Sequence, residues 1–444
     1  MLFKNYNNLI LNGQSPVLQQ KRKDILDMLS AAVDAVQPSH VIKDVFCGSQ
    51  MVFASESIDL SFFDHVYIVG FGKASVGMAQ AVCDAVTVTK GVVITNDPSA
   101  TIQNHSIEVI VGGHPLPNEG SILGTEKILD LLGKCSENDC VIVLISGGGS
   151  SLLCKPRVPL DDLQKTFDIL LHSGVSIEEL NTIRKHLSLV KGGQLAQYTK
   201  AVIISLIISD VVHDPMTSIA SGPTSPDPTT FSDTREILKQ YKLLEKIPTA
   251  VRTIIMEGIA GHVSETRKEN DPVFKRVFNF IVANNERACQ AAKKKAKELG
   301  YDVTLMTTAI SGEAQVVGKN LINTAVKNLL HKKTVIITSG ETTVTIQGGG
   351  TGGRNQELVL SCVEEIAGNE YVIASFATDG IDGNSDAAGA LADGYTLARA
   401  LKKKFNPTRF LKQNNSNVFF QALGDTLLTG VTGTNVMDLQ ILMR

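Results

Sequence analysis

The stretch Val141-Ile-Val-Leu-Ile-Ser-Gly-Gly-Gly-Ser-Ser151 joins five consecutive aliphatic residues to a turn of glycine and serine. A short apolar run bounded by glycine predicts a strand buried on both faces, and parallel sheets bind ligands at the carboxyl ends of such strands. Three glycines without a Cβ let main-chain N–H groups approach an anion, and the serine hydroxyls add donors. The residues predicted to bind phosphate or substrate here are Ser146, Gly147, Gly148, Gly149, Ser150 and Ser151.

The same pattern, an apolar run that ends in Gly, Ser or Asp, recurs at 66–73, 203–210, 335–341 and 373–379. Several strands that end in this way predict one ligand site assembled from strand tips. A turn that only connects a strand to a helix, with no ligand, is the alternative for any single one of them.

Composition limits the class of protein. At 444 residues two domains are expected, and 43% hydrophobic with 20% charged residues is typical of a globular enzyme. The formal charge of -3, with short lysine runs only at 293–295 and 402–404, argues against a nucleic-acid partner. No apolar stretch reaches the roughly 18 residues of a membrane span, and seven scattered cysteines fit a reducing compartment.

The chain is expected to divide into three parts. Residues 1–24 are predicted to be a flexible N-terminal segment, 25–265 an N-terminal α/β domain and 272–444 a C-terminal α/β domain. The polar and proline-containing stretch from 225 to 272 is the candidate linker. A cytoplasmic location is expected, and the acid-free first 23 residues leave a mitochondrial location open.

Lys73 follows a second strand-and-glycine turn, Gly70-Phe-Gly-Lys-Ala-Ser75. The glycine spacing does not match the dinucleotide fingerprint Gly-x-Gly-x-x-Gly. A lysine at the positive end of a helix is unfavourable without an anion to meet it, so Lys73 is predicted to contact a phosphate or carboxylate.

Asp210 ends the apolar run at 203–210. A carboxylate at a strand tip beside an anion site either helps to hold Mg²⁺ or accepts a proton from a substrate hydroxyl, and both roles stay open. On a predicted helix over 177–194, Arg184, Lys185, Ser188 and Lys191 fall at three- and four-residue spacing. That face is either solvated or orients a bound anion, with Asn181 and Arg184 as candidate binding residues.

The second half of the chain also places a cation after a glycine-rich turn, as at Lys73. Gly348-Gly-Gly-Thr-Gly-Gly-Arg354 delivers an arginine to a predicted helix start, as phosphoryl transfer requires of a fixed cation. Asp379 and Asp386, after the run at 373–379, are candidate Mg²⁺ ligands. The predicted nucleotide-binding residues are Gly340, Glu341, Gly352 and Gly353.

Several long motifs occur together and in order. They are Gly70-Phe-Gly-Lys-Ala-Ser75, Gly113-His-Pro-Leu-Pro-Asn118, Ser146-Gly-Gly-Gly-Ser-Ser151, Ser221-Gly-Pro-Thr224, Gly352-Gly-Arg-Asn-Gln-Glu357, Thr378-Asp-Gly-Ile-Asp-Gly383 and 429–435. From about residue 25 to the end, the chain resembles the glycerate kinases whose C-terminal part is the MOFRL domain, here about 330–444. It departs from that pattern at His213, where many relatives carry a glycine.

The resemblance implies two Rossmann-like three-layer α/β domains with an interdomain active-site cleft. It implies an enzyme that uses ATP and Mg²⁺ to phosphorylate D-glycerate, with 2-phosphoglycerate favoured over 3-phosphoglycerate. Lys73 and Arg354 match the family's active-site lysine and arginine, and Asp210 is the third candidate catalytic residue. The expected partners are D-glycerate and ATP, with neither nucleic acid nor membrane, and a homodimer is compatible with the sequence.

Two other classes of function remain open on the sequence. One is an NAD(P)-dependent hydroxy-acid oxidoreductase, which would also use a glycine-rich strand turn, although no ribose-binding acid follows at the usual distance. The other is a protein that binds anions without catalysis.

Overall fold

The computed structural model describes residues 1–54, 56–328 and 333–444, with side chains omitted at 325–328. It contains two compact units, one formed by 1–40 and 283–444 and the other by 41–282. None of the helices in the described ranges combines the length and the apolar character needed to cross a bilayer.

The strands are β1 (Phe46–Cys47), β2 (Gln50–Val52), β3 (Ser57–Asp59), β4 (Val66–Phe71), β5 (Lys90–Thr95), β6 (Ile107–Val111), β7 (Cys140–Ile145), β8 (Val202–Ile208), β9 (Val277–Ala283), β10 (Asp302–Ile310), β11 (Thr334–Gly340), β12 (Val372–Ala377), β13 (Gly389–Asp393), β14 (Thr426–Leu427) and β15 (Asp438–Met443). The helices are α1 (Tyr6–Leu11), α2 (Pro16–Ala35), α3 (Pro38–Lys43), α4 (Ser75–Ala85), α5 (Glu119–Leu132), α6 (Gly149–Leu152), α7 (Leu160–Leu171), α8 (Ile177–His186), α9 (Phe231–Gln240), α10 (Thr249–Ile259), α11 (Asn285–Glu298), α12 (Ala314–Asn328), α13 (Arg354–Cys362), α14 (Thr396–Lys402), α15 (Pro407–Lys412) and α16 (Ser416–Leu423).

The sheet of the 41–282 unit has the strand order β6-β5-β4-β7-β8-β9. Its first five strands run parallel, and the order reverses direction between β4 and β7, which pair from Val66 with Cys140 to Phe71 with Ile145. This is the Rossmann strand order, in which ligands bind outside the carboxyl ends of the strands at the reversal point. The predicted anion-binding turn therefore follows β7 at that point.

Burial explains why these residues form strands. All six residues of β7 are buried, as the continuous aliphatic run predicts for a central parallel strand. Val141, Val143 and Ile145 share a core with residues of β4, β5 and β8. A fully buried aliphatic side chain contributes about 1.5–3 kcal/mol, so this core fixes the strand ends that carry the turns.

The sheet of the other unit is mixed, with the order β10-β11-β15-β12-β13-β14. The last strand, β15, runs antiparallel to both neighbours, pairing Asp438 with Gly340 on one side and with Ala377 on the other. Since β15 begins where β11 and β12 end, its first residue lies at the edge where those two strands deliver their loops.

The predicted flexible segment 1–24 is instead helical and packed, and this prediction is wrong. Phe3, Leu9 and Leu18 are buried, and the ring centroid of Phe3 lies 5.7 Å from that of Phe376. Arg22 is fully buried and forms ion pairs with Asp393 at 2.6 Å and Asp425 at 2.9 Å. Burial of these groups anchors residues 1–40 to the C-terminal unit, whereas the sequence-based boundary placed 25–40 with the N-terminal domain.

The candidate linker is also structured. Residues 225–272 contain α9 and α10, whose Leu238, Val251 and Ile255 are buried in one apolar cluster. The 41–282 unit continues through β9, beyond the expected boundary at 265. Apolar residues at helical spacing form these two helices, although charged residues and prolines surround them.

We expect Arg22→Met to lower the free energy of unfolding by about 3 kcal/mol or more, because it leaves buried Asp393 and Asp425 without their partner. Lys23→Met is the matched control, since Lys23 is 45% exposed and its ion pair with Asp27 is worth about 0–1 kcal/mol. Chemical denaturation of both variants checks this. Equal stability of the two would contradict the anchoring role of Arg22.

Candidate functional site

The turns after β4 and β7 are joined to each other by hydrogen bonds. Lys73 N–H donates to the Gly147 carbonyl at 2.8 Å, and Ala74 N–H donates to Ser146 Oγ at 3.0 Å. Gly72 has φ +132°, and a Cβ on it would lie 2.2 Å from Ser146 Oγ. Glycine at position 72 is therefore required by both the backbone angle and the close approach of the second turn.

The glycine turn after β7 faces two cationic or ionisable side chains. A Cβ on Gly148, which has φ +83°, would lie 3.0 Å from His114 Cδ2 and 3.5 Å from Lys73 Cγ. Within the described part of the chain, the N–H groups of Gly147 and Gly148 donate to no acceptor. Gly147 is buried and Gly148 is partly buried. Both lie beside Lys73, so the turn has the donors and the charge to bind an anion.

A chain of hydrogen bonds links the turn to α8. Ser150 Oγ lies 2.9 Å from Ser221 Oγ, which donates to Asn181 Oδ1 at 3.2 Å. The same oxygen accepts from Arg184 Nη1 at 2.9 Å. The structure thus connects Asn181 and Arg184 to the predicted anion turn through Ser221.

The helix predicted over 177–194 is shorter than expected. It ends at His186, with Leu187 as its C-cap, and the positive φ of Gly192 and Gly193 excludes a continuous helix as far as residue 194. Ser188 then pairs with Pro156 in an isolated bridge. Lys191 therefore does not extend the face of α8 but turns into the unit, where it is 3% exposed.

Asp210 follows β8 by two residues and is partly buried. The register pairs Ile145 with Ile207, so Asp210 emerges at the same sheet edge as the glycine turn. The loop beyond it contains left-handed residues, among them His213 at φ +63°. That angle favours glycine over other residues.

In the other unit, Arg354 begins α13 and is held by two acids. Its Nε donates to Asp438 Oδ2 at 2.5 Å and its Nη2 to Asp438 Oδ1 at 3.0 Å, a two-point pairing. Nη1 donates to Glu341 Oε1 at 2.5 Å. The guanidinium is fixed in orientation while its side chain stays 32% exposed.

Asp382 holds the helix that carries Arg354. Its carboxylate accepts from the main-chain N–H groups of Asn355 at 3.0 Å and Gln356 at 2.9 Å, and from their side-chain amides. Burial raises the pKa of Asp382 to about 6 in spite of these donors. Gly353 is the N-cap of the helix, and Gly352 N–H donates to Asn384 Oδ1 at 2.8 Å. These contacts fix the start of α13.

The predicted metal ligands differ in their surroundings. Asp379 is partly buried and accepts from Ile381 N–H at 3.1 Å, whereas Asp386 is exposed. Across the described ranges, no three His, Cys, Asp or Glu side chains are grouped so as to hold a metal ion. Mg²⁺ often uses one or two carboxylates and completes its shell with phosphate oxygens and water, so the oxygen donors present fit that mode of binding.

Two residues that were not among the predicted site residues contact that site. Asp438 pairs with Arg354, and His114 lies against Gly148. His114 belongs to Gly113-His-Pro-Leu-Pro-Asn118, where the sequence allows either a functional histidine or one that only hydrogen-bonds the main chain. Nothing in the local sequence indicates Asp438, because its position follows from the antiparallel insertion of β15 between β11 and β12.

Comparison with known proteins finds family matches in both halves of the chain. Residues 24–256 match a domain of unknown function, DUF4147, and residues 334–438 match the MOFRL family. A glycerate 2-kinase from Pyrococcus horikoshii is 41% identical over 425 residues, covering 94% of this chain and 96% of the relative. The chain belongs to the MOFRL family of glycerate kinases.

A crystal structure of a glycerate kinase from Thermotoga maritima superimposes with a TM-score of 0.84 at 35% identity, covering 96% of this chain and 99% of that one. A protein from Agrobacterium vitis that is provisionally named hydroxypyruvate reductase is 37% identical over 390 residues, 85% of this chain and 86% of its own. The α/β fold expected from the resemblance is thereby confirmed.

We expect Gly72→Ala to destabilise the protein by about 2–4 kcal/mol, because a Cβ there would lie 2.5 Å from the Ser146 carbonyl oxygen. Gly133→Ala is the control in the same unit, since its Cβ would make an ordinary contact of 3.4 Å at an unstrained helix end. Thermal denaturation followed by circular dichroism checks both. An unaltered midpoint for Gly72→Ala would refute the packing of the two turns.

Proposed function

We propose that this member of the family transfers the γ-phosphoryl group of ATP to D-glycerate, at the 2-hydroxyl. The observation that carries the proposal is the pair of N–H groups at Gly147 and Gly148, which have no acceptor among the described residues and lie at the reversal point of the sheet beside Lys73. Its biochemical support is the name of the Pyrococcus horikoshii relative, glycerate 2-kinase.

The substrate contacts follow from the charge of each group. Lys73 and Arg184 bind the carboxylate of glycerate, and the turn Ser146–Ser151 binds phosphate through its main-chain N–H groups and hydroxyls. Asn181 orients Arg184 through their 2.9 Å hydrogen bond. These groups recognise a small hydroxy acid by its negative end.

The transfer itself requires a base and a fixed cation. The 2-hydroxyl oxygen of glycerate attacks the γ-phosphorus, the bond to the bridging oxygen of ADP breaks, and Asp210 accepts the hydroxyl proton. Arg354 stabilises the charge that spreads over the equatorial oxygens, because Asp438 and Glu341 hold its guanidinium in one orientation.

Gly340, Glu341, Gly352 and Gly353 line the segment around Arg354 and are proposed to contact the nucleotide. Asp379 and Asp386 are the proposed Mg²⁺ ligands, with phosphate oxygens completing the shell. Bound Mg²⁺ would neutralise charge on those oxygens. Oxygen is the donor type that this ion prefers, which is why these carboxylates are chosen.

An oxidoreductase is the second candidate, favoured only by the name of the Agrobacterium vitis relative. Nicotinamide cofactors bind where the second glycine of the fingerprint lets a pyrophosphate approach the turn. At Gly72 the Cβ direction is already occupied by Ser146 Oγ. This packing disfavours a dinucleotide at that turn.

The direct test is phosphorus NMR of the purified protein with ATP, Mg²⁺ and D-glycerate. We expect a new monoester resonance that matches authentic 2-phosphoglycerate and requires both substrates. A resonance matching 3-phosphoglycerate would overturn the regiochemistry. Oxidation of NADH by hydroxypyruvate without ATP consumption would overturn the kinase assignment.

We expect Arg354→Ala to lower kcat by about 10³-fold or more while the KM for glycerate changes little, because the guanidinium acts on transition-state charge. The matched control is Arg409→Ala, which removes an exposed arginine of the same unit. Steady-state kinetics with ATP and glycerate measures both.

Since removal of Arg354 also leaves buried Asp438 without its partner, Arg354→Lys is measured in parallel and the melting temperature of each variant is determined. A folded variant of either kind with unchanged kcat would remove Arg354 from the chemistry.

A further inference from the structure

Two serine hydroxyls of the predicted anion turn are hydrogen-bonded within the 41–282 unit. Ser150 Oγ lies 2.9 Å from Ser221 Oγ, and Ser151 Oγ donates to the Pro115 carbonyl. A serine hydroxyl carries one hydrogen and two lone pairs. The partner that receives this hydrogen therefore decides whether each serine presents a donor or an acceptor to a ligand.

The direction of each hydrogen bond between α8 and the turn follows from Arg184. A guanidinium only donates, so the Asn181 atom that it contacts at 2.9 Å is the amide oxygen. Ser221 Oγ lies 3.2 Å from the same oxygen and donates its hydrogen to it. Because Ser221 then has no hydrogen left, Ser150 is the donor in the 2.9 Å contact between the two hydroxyls.

The backbone around Ser221 holds this network in place. Ser221 is fully buried and lies in a run of three left-handed residues, with φ +49° at Ala220, +61° at Ser221 and +59° at Gly222. Strained non-glycine residues of this kind persist only where neighbouring contacts enforce them. Here Gly192 N–H donates to the Ser221 carbonyl at 3.0 Å, and Gly193 N–H donates to the Gly222 carbonyl at 2.7 Å. The position of the Ser221 hydroxyl is therefore set by the fold.

Ser150 consequently presents only lone pairs to a ligand. Its side chain is partly exposed, and its hydrogen is committed to Ser221. Phosphate and carboxylate oxygens are acceptors at neutral pH, so they do not pair with an oxygen in this state, whereas a substrate hydroxyl donates to it. The hydrogen of Ser151 is likewise committed, to Pro115. These two hydroxyls therefore add no donor to a bound phosphate, and the main-chain N–H groups of the turn make that contact.

Asn181 offers the complementary group. It is 5% exposed, its amide oxygen accepts two hydrogen bonds, and its amide N–H groups donate to no acceptor in the ranges that the structure describes. The network thus ends in an acceptor at Ser150 and a donor at Asn181. Among the polar groups of a hydroxy acid, only a hydroxyl both donates and accepts.

We propose that Ser150 Oγ accepts a hydrogen bond from the 3-hydroxyl of the substrate, the hydroxyl that is not phosphorylated. The choice of the 3-hydroxyl rests on the proposed function, in which Asp210 accepts the hydrogen of the 2-hydroxyl. The acceptor character of Ser150 rests on the hydrogen-bond network alone. Ser150 is then a specificity-determining residue that distinguishes D-glycerate from 2-hydroxy acids without a 3-hydroxyl.

The test is calorimetric binding of three acids without nucleotide: D-glycerate, D-lactate, which lacks the 3-hydroxyl, and 3-hydroxypropanoate, which lacks the 2-hydroxyl. We expect the parent to bind D-glycerate about two- to tenfold more tightly than D-lactate, the range that one hydrogen bond contributes. In Ser150→Ala, Kd should rise by that factor for the two acids with a 3-hydroxyl and stay within about twofold for D-lactate. Ser150→Thr keeps the hydroxyl and should bind all three acids like the parent.

The pattern across the three acids decides the role of Ser150. Equal weakening of all three in folded Ser150→Ala would indicate a contact with the carboxylate and overturn the proposal. Weakening confined to D-glycerate and D-lactate would place Ser150 at the 2-hydroxyl and also overturn it.

Ser173→Ala is the control, because it removes a partly buried hydroxyl of the same unit that donates to the Leu170 carbonyl at 2.7 Å. It should bind the three acids like the parent. The melting temperature of each variant is determined in parallel. If Ser150→Ala does not fold, Ser221→Ala replaces it: the Ser150 hydrogen loses its acceptor, so the preference for D-glycerate over D-lactate should fall. An unaltered preference in that variant would overturn the proposal.

Activity separates this inference from the proposed function. Glycerate-dependent ATP consumption by the parent, with an unchanged preference for D-glycerate in folded Ser150→Ala, would support the kinase and refute the Ser150 contact. A preference that requires Ser150, in a parent protein that transfers no phosphate, would support the contact and refute the kinase. Equal affinity of the parent for D-glycerate and D-lactate would refute the contact whatever the activity.

Discussion

The close contact between the turns after β4 and β7 is the constraint on which the anion site depends. Lys73 N–H donates to the Gly147 carbonyl, and Ser146 Oγ accepts from Ala74 N–H, so each turn fixes the other. No side chain fits at Gly72, because a Cβ there would lie 2.2 Å from Ser146 Oγ. Buried parallel strands on both sides keep this arrangement rigid, and a rigid set of donors binds an anion without first being reorganised.

The C-terminal unit positions a charged side chain, the Arg354 guanidinium, instead of main-chain N–H groups. Its last strand enters between two parallel neighbours and places Asp438 where their loops begin. That carboxylate fixes the Arg354 guanidinium from one side, and Glu341 holds it from another. Asp382 fixes the helix start through main-chain N–H groups. An arginine held in this way keeps its charge and its direction, as phosphoryl transfer requires.

Local patterns in the sequence predicted the features that local chemistry determines. The apolar run before Ser146 predicts β7, and the glycine loop before Arg354 predicts the start of α13, because burial and missing side chains act over a few residues. The sequence did not reveal that residues 1–40 pack with the C-terminal unit. That placement depends on Arg22 meeting Asp393 and Asp425, which lie about 370 and 400 positions away along the chain. Strand order also depends on residues far apart in the chain. For that reason the sequence did not indicate that Asp438 would pair with Arg354.

The most direct test of the account is a high-resolution crystal structure of the protein with D-glycerate bound. The account predicts that an anionic group of the ligand accepts hydrogen bonds from the main-chain N–H groups of Gly147 and Gly148, within reach of Lys73. A ligand well ordered elsewhere, with those two N–H groups bonded only to protein or water, would contradict it.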